Sequence, residues 1–117
     1  MTRIDPEPGR RTAAQLRIHQ DGNGNTSVLD VRVLPDGSVE FSGQDLGPMT
    51  AGISPDGEYE YWRTVDARHV PDLVALIGGR PDEHVIDLLV RDWTGTRSFD
   101  LERLLNTASF PVRFFSY

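Results

Sequence analysis

Hydrophobic and polar residues alternate along four segments in the first 65 positions of the chain, and a turn signal follows each of the first three. In Glu58–Val65, the side chains of Tyr59, Tyr61 and Val65 share one face. A period of two is typical of a β-strand with one face on the core. The remaining three strands are predicted at 12–20, 26–34 and 38–45. The turn-like connections between them indicate an antiparallel meander.

Alternation also predicts which side chains of the first three strands face the core. In the first strand it places Ala14, Leu16 and Ile18 inward and Arg17 on the solvent side. The inward positions of the next two strands are Leu29, Val31, Val33, Val39 and Phe41. On the solvent side we expect Arg17, Arg32 and Glu40 to form cross-strand ion pairs, each of which contributes little to stability.

Spacings of three and four residues between apolar positions predict three helices in the second half, at 71–77, 82–93 and 99–106. Asp66 is the expected cap of the region before the first helix, and Thr96 or Ser98 is the expected cap of the third. A last strand is predicted at 112–117, with Val112 and Phe114 facing inward.

These elements predict an α+β fold, in which a four-stranded antiparallel meander carries three helices on one face and a fifth, C-terminal strand rejoins the sheet. Residues 1–11 are polar and contain two prolines, so we expect a disordered tail before a single α+β domain at 12–117. The side chains expected in the core are Val31, Phe41, Tyr59, Tyr61, Leu73, Leu89, Leu101 and Leu104.

The amino-acid composition of the chain limits the classes of partner that it is expected to bind. The chain of 117 residues has a formal net charge of −6, and its twelve basic residues are all arginine. An acidic surface repels phosphate backbones, which argues against nucleic-acid binding. The same charge allows a basic protein partner, although it is also a common solubility device. No long apolar run and no signal-peptide pattern is present, so we expect a cytoplasmic protein that does not enter a membrane.

Catalytic and metal-binding motifs are not recognisable in the sequence. The three histidines, His19, His69 and His84, fall on different elements without metal-ligand spacing, and cysteine is absent. The glycines at 22 and 24 lack the spacing of a phosphate-binding loop and indicate a hairpin turn. We therefore assign no catalytic, cofactor-binding or metal-binding residues and expect no cofactor.

The residues with the clearest interface chemistry lie on two strands. Trp62 shares a strand face with two glutamates, and the last strand carries aromatic residues on one face. The candidate interface consists of Glu58, Glu60, Trp62, Arg113, Phe115 and Tyr117. Aromatic residues and arginine are enriched in protein interfaces. The alternatives are that a loop covers Trp62, or that Trp62 and Phe115 form a small second core.

Three functions follow from these observations. The first is a non-catalytic protein-binding module that uses the acidic, aromatic surface. The second is a small enzyme or ligand-binding domain that uses the long loop at 46–56, with a pocket lined by Glu60, Tyr61 and His69. The third is a homo-oligomer formed through strand edges or the aromatic face.

The second half of the chain carries YEYWRTV, the Gly78-Gly79 break, RDWTGTRSFDLERLL and the terminal PVRFFSY. In these motifs it resembles small uncharacterised actinobacterial proteins, a group that implies no activity and no functional residues. In size, charge and expected architecture the chain also resembles the immunity proteins of bacterial toxin systems. That second likeness implies a protein-binding role.

Overall fold

The computed structural model describes residues 11–48 and 57–116. Most of the predicted tail at 1–11, most of the loop at 46–56, and Tyr117 therefore lie outside the described residues. Five antiparallel strands form one sheet in the order β1-β2-β3-β4-β5, which confirms the predicted α+β fold. The strands are β1 Ala13–Gln20, β2 Thr26–Val33, β3 Val39–Leu46, β4 Glu58–Val65 and β5 Arg113–Ser116.

Between β4 and β5 the chain forms a short 3₁₀ helix, Ala67–His69, and three α-helices, α1 Val70–Leu76, α2 Val85–Asp92 and α3 Arg97–Asn106. Asp66 does not cap this region through its side chain; its carboxylate instead accepts a hydrogen bond from Arg113 Nη2 at 2.8 Å. Neither Thr96 nor Ser98 caps α3 through its side chain. Instead, the hydroxyl of Ser98 is fully buried and donates to the carbonyl of Gly95.

The two faces of the sheet differ in burial. On the helical face, strand residues such as Leu29, Phe41 and Val65 pack into one core with Leu73, Leu89 and other helix residues. No residue on the opposite face, which we call the open face, is buried. The open face consists of Ala13, Gln15, Ile18, Gln20, Thr26, Val28, Asp30, Arg32, Glu40, Ser42, Gln44, Leu46, Glu58, Glu60, Trp62, Thr64, Arg113 and Phe115.

A β-bulge in β1 reverses part of the predicted alternation. Gln15 pairs with Asp30 but Arg17 already pairs with Leu29, so Leu16 is an extra residue in the ladder. A bulge of one residue moves the side chains that follow it to the other face. Arg17 is therefore 3% exposed on the helical face, and Ile18 is 63% exposed on the open face. The predicted inward position of Ile18 and solvent-side position of Arg17 are both wrong.

Most of the predicted core is confirmed. Six of the eight side chains are buried, whereas Tyr59 and Leu104 are half-buried. Phe114 lies on the helical face, opposite Arg63, but it is 54% exposed because β5 is the edge strand. The indole of Trp93 donates to the carbonyl of Ile77 at 3.0 Å, which joins the ends of α1 and α2. Among the described residues, no helix has the length and apolar character needed to cross a membrane.

Leu89→Ala should lower the free energy of unfolding by about 2–5 kcal/mol, because it leaves a cavity at a fully buried position. The control is Ile18→Ala, which removes a side chain of the same size class from the open face and should change stability by no more than about 0.5 kcal/mol. Urea unfolding of both variants measures the difference. A loss at Ile18 as large as that at Leu89 would show that β1 has no bulge.

Candidate functional site

The structure places the predicted interface residues of β4 and β5 side by side. Trp62 pairs directly with Phe115 across the two strands, and their ring centroids are 5.6 Å apart. Phe115 is 60% exposed, Trp62 and Glu60 are half-buried, and Glu58 is exposed at the start of β4. The pairing of β4 with β5 thus brings the rings of Trp62 and Phe115 together on the open face.

Trp62 belongs to a row of directly paired residues that crosses all five strands. From β1 to β5 the row reads Gln15, Asp30, Ser42, Trp62 and Phe115. Ser42 is short, so the row dips between Asp30 and Trp62. Two shallow concavities, of about 550 and 240 Å³, both have Asp30, Ser42 and Trp62 in their lining. Trp62 therefore lines two neighbouring concavities of the open face, and we call the smaller one, which also has Glu60 in its lining, the depression.

Acidic groups outnumber basic ones on this face. Arg32 is paired with Glu40 at 2.8 Å, as expected for the solvent side of the sheet, and Arg113 is paired with Asp66. The carboxylates of Asp30 and Glu60 form no hydrogen bond or ion pair in the described part of the chain, and both residues line the smaller concavity with Trp62. The depression thus combines an indole ring with two carboxylates that no arginine of the described chain neutralises.

The pocket expected from Glu60, Tyr61 and His69 is not formed. Glu60 and Tyr61 are neighbours on β4, so their side chains point to opposite faces. His69 lies beyond the other end of β4, where its ring stacks on Phe110 and its Nδ1 is 3.0 Å from Asp72 Oδ2. Because residues 49–56 lie outside the described chain, the structure does not place the rest of the predicted site.

Sequence reasoning missed a polar cluster under α3, on the helical face. Glu102 of α3 receives hydrogen bonds from two buried arginines of the sheet, at 2.6 Å from Arg17 Nη2 to Oε1 and 2.5 Å from Arg63 Nη1 to Oε2. The Tyr61 hydroxyl donates to Oε1 at 3.0 Å, and Arg17 also donates to Ser98 Oγ. Glu102 thus connects β1, β4 and α3 in one network.

Tyr61 forms the floor of this cluster. Its ring lies across Gly43 of β3, where the Cβ of any larger residue would collide with it. Burial, and then the nearby charges of Glu102 and Asp45, raise the pKa of the Tyr61 phenol above its ordinary value of 10.0. The phenol therefore stays protonated and remains a hydrogen-bond donor to Glu102.

Part of this cluster was visible in the sequence. The alternation that places Tyr61 and Val65 inward places Arg63 inward as well, and a buried arginine requires an anionic partner. Glu102 adjoins Leu101 on the buried side of α3, where it can supply that charge. Arg17 could not be found in this way, because the bulge that turns it inward leaves no clear mark in the residue pattern.

The histidines do not assemble a metal site. Within residues 11–48 and 57–116, no group of three or more metal-ligating side chains comes together. His19 packs its ring edge-on against Phe99, with centroids 5.6 Å apart. His84 precedes α2, and its Nδ1 is buried without a protein partner in the described chain.

Comparisons with protein-family models, with curated proteins and with solved structures find no match to this chain.

Glu102→Ala should lower the free energy of unfolding by about 3–5 kcal/mol, because it leaves two buried guanidinium groups without their counter-ion. The matched control is Asp100→Ala, which removes an exposed carboxylate from the same helix and breaks its pair with Arg103. An exposed pair of this kind contributes about 1 kcal/mol or less. Equal losses in the two variants, measured by urea unfolding, would contradict the bridging role of Glu102.

Stability should fall as the pH rises above the ordinary tyrosine pKa of 10.0. The folded-state pKa of Tyr61 is raised, so the unfolded chain loses this proton first and the folded state is progressively disfavoured. The contribution is fully present below the unfolded pKa and is lost as pH rises through the folded pKa. Tyr61→Phe should remove this contribution to the loss of stability at alkaline pH. A pH profile of unfolding identical to that of the unchanged protein would refute the assignment.

Proposed function

We propose that the protein is a non-catalytic binding module whose open face docks a basic segment of a protein partner. The observation that carries this proposal is the depression beside Trp62, where the indole adjoins the carboxylates of Asp30 and Glu60. The open face has no buried residue in the described chain, so a partner could approach it without moving a helix.

The chemistry of the depression favours a cationic side chain from the partner. An arginine or lysine placed over an indole is attracted by the ring, and the attraction strengthens when water is excluded. Carboxylates beside the ring can at the same time accept hydrogen bonds from the cation. Arginine suits this arrangement best, since its planar guanidinium can stack on Trp62 while its edge donates to Asp30 or Glu60.

The rest of the surface supports the same class of partner. The formal net charge of −6 attracts a basic protein over distances of a Debye length, which raises the association rate. Phe115 extends the apolar part of the site beyond Trp62 and is 60% exposed. An aromatic centre with a charged surround is the usual anatomy of a protein interface.

An immunity-like role is one form of this proposal. In that case the partner would be a toxin with a basic surface, and an adjacent toxin-like reading frame would provide the first candidate to test. The proposal concerns the chemistry of the docked segment and does not depend on that identity. A homo-oligomer built on the open face is the main competing arrangement, since it would bury the same aromatic pair.

A synthetic peptide of alternating arginine and glycine residues, blocked at both ends, should bind the open face. Amide shifts in NMR spectra should change along β3 and β4 around Ser42 and Trp62 and not on α2. Trp62→Ala should weaken binding by about tenfold or more, as expected for an aromatic anchor. The same peptide with citrulline in place of arginine should bind at least about tenfold more weakly, because it keeps the shape and loses the charge.

Charge variants distinguish recognition of the peptide by the depression from attraction by the net charge of the protein. Glu60→Gln should weaken peptide binding, whereas Asp82→Asn, which removes one exposed carboxylate before α2, should leave it nearly unchanged. Equal effects of the two variants would point to unspecific attraction and contradict the proposal. So would shift changes confined to the helical face, or a dimer in solution that buries Trp62.

A further inference from the structure

Another concavity lies on the helical face, between the β1–β2 hairpin and α3, away from the proposed docking surface. Its volume is about 360 Å³, within the range of small-molecule pockets. Arg17, Ser27 and Tyr61 contribute to it from the sheet. The hairpin end contributes Asp21 and Asn25. Helix α3 contributes Phe99, Glu102, Arg103 and Asn106.

The charged side chains that line this cavity balance one another. Three arginines, Arg17, Arg63 and Arg103, face three carboxylates, Asp21, Asp45 and Glu102. A lining without net charge does not favour a polyanion or a polycation. It suits a ligand that is neutral overall, provided that the ligand's own polar groups match those that the cavity leaves unbonded.

Most of the hydrogen-bonding capacity is already used within the protein. Both carboxylate oxygens of Glu102 accept from arginines, and Arg17 donates to Ser27, Ser98, Tyr61 and Glu102. Both oxygens of Asp21 accept from the hairpin, which lowers its pKa, chiefly through Asn25 and Asn23. These groups hold the cavity in shape and have little left for a ligand.

The hydrogen-bonding groups that remain available to a ligand lie on two sides of the cavity. On the α3 side, Arg63 Nε donates to Asn106 Oδ1 at 3.2 Å, which orients the amide. In the described chain this leaves Arg63 Nη2 and Asn106 Nδ2 as donors without a partner, and Arg103 keeps donors beyond the Nη1 that binds Asp100. On the hairpin side, Asp45 Oδ1 accepts from Ser27 at 2.8 Å, and its second oxygen has no partner among the described residues.

The two sides are well separated along the sheet. Asp45 pairs with Tyr59, and Arg63 lies four residues further along β4. At the rise of a β-strand this is about 13 Å between backbone positions. The side chains of Asp45 and Arg63 both reach the cavity from these positions, so ligand charges that meet them must be several ångströms apart.

We propose that this cavity binds a small zwitterion with separated charges, such as an ω-amino acid or a dipeptide. Its ammonium group donates to Asp45, and its carboxylate accepts from Arg63 and Asn106. The connecting methylene or peptide groups lie near the ring of Phe99, which also supports the guanidinium of Arg17 at 3.9 Å. The site is on the opposite side of the sheet from Trp62, so it can be tested independently of the docking proposal.

Calorimetric titration with glycine, 4-aminobutanoate and 6-aminohexanoate tests the predicted charge separation. Affinity should rise from glycine to the longer members, since only they can reach both sides. N-acetylation, which removes the ammonium, and conversion of the carboxylate to an amide should each weaken binding by about tenfold or more. Failure of all three zwitterions to bind, or equal binding of the acetylated forms, would overturn the proposal.

Variants on each side of the cavity identify the site. Asp45→Asn and Asn106→Ala should each weaken binding of the best zwitterion by about tenfold. In Asp45→Asn, N-acetylation of the ligand should cause no further loss of affinity, because the carboxylate that meets the ammonium is already gone. Asp82→Asn is the control with the same change in net charge. Thermal unfolding checks that each variant is folded. Asn106 is exposed, so Asn106→Ala should fold and can test the site even if Asp45→Asn is unstable. Unchanged affinity in a folded variant would refute the site.

Discussion

The bulge at Leu16 is the constraint on which the chemistry of both faces depends. Without it, Arg17 would point to solvent and Ile18 to the core, as simple alternation predicts. With it, Arg17 reaches Glu102 and Ser98 under α3, and the carbonyl of Leu16 accepts a hydrogen bond from the Gly95 N–H at 2.9 Å. One extra residue thus ties β1 to the start of α3 and supplies half of the positive charge that Glu102 binds.

The buried network explains why α3 sits where it does. A buried ion pair contributes little net stability compared with apolar packing, but removal of one partner leaves an uncompensated buried charge. Glu102 can satisfy Arg17 and Arg63 together only if α3 crosses the sheet from β1 to β4. The apolar residues Leu101 and Leu105 of α3 then enter the core at fixed positions. We infer that packing supplies the stability and that the network favours the orientation of α3 in which Glu102 meets both arginines.

Because the described helices all cover one face, the molecule presents two surfaces of different chemistry. The open face combines aromatic rings with unneutralised carboxylates and is shallow, which suits a protein segment. The cavity beside α3 is smaller and balanced in charge, which suits a small molecule. The strands connect the two, since Tyr61 of the cavity and Trp62 of the depression are consecutive residues of β4.

The sequence predicted the element order, the meander and most of the core, because each of those depends on a local period of two or 3.6 residues. It also placed Trp62 and Phe115 in one candidate interface and left open that the two rings meet, which the pairing of β4 with β5 brings about. Alternation places Arg63 inward, but its partners in the polar cluster were missed, because ion pairs between residues distant in sequence leave no periodic signal. A bulge leaves equally little trace, since Leu16 and Ile18 are both apolar and either could face the core.

The position of these two side chains offers the most direct test. In methyl NMR spectra recorded with a soluble paramagnetic agent, relaxation depends on the distance of each methyl group from solvent. The account predicts strong relaxation of the Ile18 methyl groups and protection of those of Leu16, with Leu29 as the buried reference on β2. Protected Ile18 methyl groups would mean that β1 has no bulge, and the assignment of Arg17 to the cluster under α3 would then be wrong.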